Sequence, residues 1–142
     1  MAIRSRAMLT YAIIKFIAYS LWCFLGLSLL APAHATLLAS AKYGLLRWFL
    51  GLGFGLLAAI ALGSVPRESV GVIYFSVYVP LRVVEWTIMA TLLRRLSVSG
   101  LVPIHSPRVR FWVFGGIIVS FVSDIASPEG MAGKFCVGRC LC

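Results

Sequence analysis

The stretch Tyr74-Phe75-Ser76-Val77-Tyr78-Val79-Pro80-Leu81-Arg82-Val83-Val84-Glu85-Trp86 sets a proline, an arginine and a glutamate inside an apolar run of membrane-span length. Charge there needs a reason. An ionised side chain at the centre of a bilayer costs about 2.5 to 3.5 kcal/mol on the lenient insertion scale, so it faces a partner, a cavity or protein. Arg82 and Glu85 stand three residues apart, which makes them neighbours on a helix surface and able to neutralise each other. Tyr74, Tyr78, Arg82, Glu85 and Met89 recur at steps of four and three and line one face, with Trp86 beside them. Pro80 removes a backbone donor, so the helix is expected to bend there.

Composition places this stretch in its setting. Of 142 residues, 61% are hydrophobic and only 12% charged, against roughly a quarter charged in soluble domains, and the mean hydropathy is +1.00. The chain reads as an all-α integral membrane protein. Its length holds about four spans of roughly twenty residues with short loops, placed at about 8–31, 43–63, 69–93 and 109–126. Residues 127–142 form a cysteine-containing tail, and the whole is one transmembrane helical domain.

The net charge of +9 would suggest nucleic acid in a soluble protein, but no long basic face interleaved with exposed aromatics is present. No nucleic-acid partner is expected. The cations fall at Arg4/Arg6, Lys42/Arg47, Arg67, Arg94/Arg95, Arg108/Arg110 and Lys134/Arg139, which reads as span ends meeting lipid headgroups.

In the first span Tyr11, Lys15, Tyr19, Trp22 and Gly26 share one helical stripe. Lys15 either snorkels to the headgroups or neutralises an acid on another helix, and the snorkelling reading is preferred. Ala33-His34-Ala35 resembles a signal-peptidase site, yet the preceding run is longer than a signal core, so a retained span is expected. The second span carries Gly51, Gly55 and Ala58, a small-residue groove that lets another helix backbone approach. No strand precedes these glycines and no Lys-Ser/Thr follows, which excludes a phosphate loop.

Near the far end of the fourth span, Asp124 is expected to stay solvated. His105 reads as a solvated loop residue. The tail places Cys136, Cys140 and Cys142 at a spacing that matches neither the usual zinc sites nor a two-residue redox pair. Free thiols, one disulfide or S-acylation are the readings open to them.

No cofactor, metal site or catalytic residue follows from these residues, and no loop has room for a catalytic constellation. An enzyme is not expected. The expected role is a structural or accessory subunit of a larger membrane complex, such as an energy-converting assembly, with membrane lipids and other membrane subunits as partners. The alternative is a small oligomeric proton-coupled transporter or channel using Glu85 with Arg82 or Lys15.

Overall fold

A computed structural model describes residues 2–62, 74–96 and 103–125. Among them the chain is all-helical, with no strand. Helix α1 is Ala2–Leu30 and α2 is Leu37–Leu62; a π-helical stretch, Tyr74–Tyr78, leads into α3, Val79–Arg94, and α4 is Pro107–Ile125.

Local sequence explains the ends. Pro32 stops α1, and one 3-10 turn, Pro32–His34, carries the chain round to Thr36. The Thr36 hydroxyl accepts the Ala39 N–H and its carbonyl accepts the Ser40 N–H, so α2 starts six residues before the expected position 43. Ser106 does the same for α4, accepting the Val109 N–H on its hydroxyl and the Arg110 N–H on its carbonyl. Pro107 takes the first helical position, where its missing donor is not needed. The expected bend at Pro80 takes another form: the backbone passes from π to α winding, and Pro80 sits in the first turn of α3. Residues 69–73, expected as the start of that span, lie outside the described residues, as do Arg67 and the tail with Cys136, Cys140 and Cys142.

The four helices pack antiparallel in sequence order. Close approach is set by glycine. A Cβ on Gly44 would meet the Ser20 backbone at 2.8 Å, which lets α2 lie against α1. Gly51 and Ala58 are buried on the same face of α2 and Gly55 is half-buried, while Gly53 faces outward, with nothing within 4 Å of the position a Cβ would take.

Between α1 and α4 two tryptophans lock reciprocally. The Trp22 indole N–H donates to the Trp112 carbonyl and the Trp112 indole N–H donates to the Trp22 carbonyl, each at 3.0 Å. A side chain on Gly26 would collide with the Trp112 indole, and one on Gly115 with Trp22. Each tryptophan thus lies in a notch on the opposite helix. Replacing either by phenylalanine keeps an aromatic ring but removes a donor and some volume, and should cost about 1–3 kcal/mol. A double-mutant cycle read by unfolding in detergent should give a coupling above about 0.5 kcal/mol; strict additivity would show that the two bonds act separately.

Two stretches among the described residues are long and apolar enough to cross a membrane, Leu9–Leu30 and Ser76–Arg94.

Candidate functional site

The buried faces of all four helices bring charge together. Helix α1 contributes Lys15, α2 Arg47, α3 Arg82 and Glu85, and α4 Asp124. Each comes from a stripe at helical spacing. On α2 the buried set is Ser40, Gly44, Arg47, Gly51 and Ala58; on α4 it is Val109, Trp112, Gly116, Ser120 and Ser123. The charged side chains face inward because their helices' other faces are Leu, Ile, Phe and Val.

In space the five charges alternate in sign. Lys15 Nζ lies 2.6 Å from Asp124 Oδ1. The other Asp124 oxygen accepts from Arg82 Nη2 at 3.2 Å, and Arg82 Nη1 donates to Glu85 Oε2 at 3.0 Å. That same Glu85 oxygen accepts from Arg47 Nη2 at 2.5 Å. The order is therefore cation, anion, cation, anion, cation. Tyr11 closes the Lys15 end, its hydroxyl accepting from Lys15 at 2.8 Å and donating to Asp124 at 3.0 Å.

Both ends are buried, Lys15 at 1% and Arg47 at 0% exposed, and Asp124, one step in from Lys15, is the most exposed member at 11%. Arg47 lies close to the middle of α2, and its guanidinium carbon is 4.8 Å from the ring centroids of both Tyr19 and Trp86. Cation–π attraction of this kind reaches about 2 kcal/mol when desolvated. Ser120 completes the inner end, accepting from Trp86 Nε1 at 3.0 Å and Arg47 at 3.3 Å while donating to the Gly116 carbonyl at 3.0 Å. Arg47 Nε and Nη1 and the Tyr19 hydroxyl have no hydrogen-bond partner among the described residues.

Tyr19, Trp86 and Trp112 stack edge to face beneath the charges, with centroids 5.9 and 5.2 Å apart. Trp86 is fully buried, and a Cβ on Gly116 would strike its ring. Polar chain and aromatic stack are thus one packed unit: Trp86 touches Arg47 on one side, Trp112 on another, and hydrogen-bonds Ser120.

Several expectations need correction. Arg82 and Glu85 do pair with each other, but they are not self-contained, since each also bonds a residue on another helix. Lys15 is buried against Asp124 rather than snorkelling, and Asp124 is correspondingly enclosed rather than solvated. Arg47 is no span-end cation; it occupies the buried centre of the bundle. The residues do carry a signal for it, because Arg47 falls on the helical stripe of Gly44 and Gly51, the packing face. Tyr78 is buried at the end of the π-helical stretch that leads into α3, and the Tyr74 side chain lies outside the described ones. His105 is exposed.

Among the described residues no three His, Cys, Asp or Glu side chains gather as metal ligands. No known protein family, curated protein or solved structure matches the chain.

Proposed function

We propose that this chain is an integral, multi-pass membrane protein whose four helices cross the bilayer, and that it serves as a structural or accessory subunit of a larger membrane assembly. The observation that carries the reading is the inside-out sorting of its side chains. Lys15, Arg47, Arg82 and Glu85 are buried, while Ile13, Ile17, Phe49, Leu56, Phe114 and Ile118 stand exposed on three of the four helices. In water so much outward apolar surface would drive association; in lipid it is the expected exterior. Each of the four helices carries at least one buried charge, and the opposite charges of its neighbours offset that cost.

A supporting role fits the way the charges are used. Both described carboxylates are bonded to cations of the same chain, so the network joins helices and leaves the aromatic and apolar outer faces to neighbours. Purification in mild detergent should recover the protein in a complex much larger than its own mass. A lone, monodisperse small species would contradict the subunit role.

A second reading, the oligomeric proton-coupled carrier built on Glu85 with Arg82 or Lys15, draws on one feature: the alternating chain of buried charges includes one partly exposed member, Asp124. Proton flux in liposomes containing the purified protein alone would favour it. Absence of flux removes it.

A further inference from the structure

We infer that the groove between α3 and α4 is a binding site for an anionic phospholipid, its acyl chain in the groove and its phosphate on Arg110. The inference rests on the membrane reading above and goes beyond it by naming a site and a ligand. The groove measures about 250 Å³. Ala90, Val109, Val113, Phe114 and Ile117 form its apolar length, Thr87 closes one wall, and Arg110 stands among the lining residues. From Val109 to Ile117 the helix rises about 12 Å, enough for most of an extended acyl segment.

Charge complementarity selects the occupant. Antiparallel packing gathers the ends of α1 and α3 and the starts of α2 and α4 at one end of the bundle. Among the described residues that end carries Lys42, Arg94, Arg95, Arg108 and Arg110, and no carboxylate. Both described acids, Glu85 and Asp124, are committed to the buried network away from it. A cation at the mouth of an apolar slot, with no acid at that end among the described residues, matches a molecule with a negative head and a hydrocarbon tail. A wholly apolar partner helix would gain nothing from Arg110.

The hydroxyl of Thr87 does not compete for the headgroup, since it donates to the Val83 carbonyl at 2.7 Å on its own helix. It lies on the tail side. The site therefore separates into two parts that can be changed independently, Arg110 for the head and Thr87 for the room the tail occupies.

The test is native mass spectrometry of the protein exchanged into detergent containing equal amounts of phosphatidylglycerol and phosphatidylcholine with identical chains. The wild type should retain phosphatidylglycerol at least about fivefold over phosphatidylcholine, the change that a single basic contact worth about 1 kcal/mol makes. Arg110→Gln should bring the ratio close to one. Arg108→Gln removes the same charge from a residue that does not line the groove, and should leave the preference in place. Thr87→Phe fills the slot from its wall and should reduce retention of both lipids. Equal retention by the wild type, or equal effects of Arg110→Gln and Arg108→Gln, would overturn the site. A dimer carrying no lipid would assign the groove to a second copy and overturn it as well. Carbonate washing of the source membranes separates the two levels: release of the protein would overturn the membrane reading and the lipid site together, whereas retention without lipid preference overturns the site alone.

Discussion

Glu85→Gln is expected to cost about 3–5 kcal/mol of stability, the range seen when one member of a buried ion network is removed and the others are left unpaired. Glu85 Oε2 accepts from both Arg47 and Arg82, so the substitution leaves Arg47 with no carboxylate and Arg82 with that of Asp124 alone. The buried set holds three cations, Lys15, Arg47 and Arg82, against two carboxylates, Glu85 and Asp124. It therefore carries one positive charge in excess, and Glu85→Gln raises the excess to two. Arg47→Met lowers it to zero. That change leaves Glu85 paired with Arg82 and removes two donors that have no acceptor among the described residues, although it forfeits the stacking on Tyr19 and Trp86. Its cost should stay near the roughly 2 kcal/mol of the stacking it forfeits, below that of Glu85→Gln. Unfolding of both variants in the same detergent decides the matter: if Arg47→Met is as damaging as Glu85→Gln, the excess charge is not what the interior is sensitive to.

Gly116→Ala should be far more harmful than the same methyl addition at Gly53. The new Cβ would enter the Trp86 ring, and that ring cannot retreat, being held between Tyr19 and Trp112 and tied to Ser120. Overpacking of this kind costs about 1–3 kcal/mol, and here the displacement also bears on the Arg47 stack. Gly53→Ala is the control. With nothing within 4 Å of its Cβ position, that substitution should add about 0.5–1 kcal/mol through helix propensity. Melting temperatures that move together, in either direction, would refute the packing argument.

What can be read in the residues is the set of stripes. Tyr11, Lys15, Tyr19 and Trp22 fall on one face of α1 because spacing alone fixes where side chains point on a helix, and all four reach α3 or α4 or the charges between them. Arg82 and Glu85 are conspicuous for the same reason. What spacing within one helix does not encode is which helix lies opposite. Lys15 and Asp124 are 109 residues apart and Arg47 and Glu85 38 apart, so their pairing follows from the order in which helices pack. Arg47 misleads through its company: it follows Lys42 by five residues, and the two together look like a span end. The start of α2 at Leu37 leaves Lys42 near that end but moves Arg47 well inside the helix. The reciprocal tryptophan lock has no signature in either segment taken alone, since it depends on the notches at Gly26 and Gly115 facing each other.

The alternating network also bears on how such a bundle can be made. A chain is synthesised from its N-terminus, so Lys15 and Arg47 emerge long before the acids that neutralise them. Arg47 waits for Glu85, and Lys15 waits for Asp124, in the last helix described. Glu85 arrives with α3, so until α4 is made the earlier helices hold three buried cations against one of the two acids. The network can then be completed only with the fourth helix, and in the interval it is Lys15 that is held without its counter-charge.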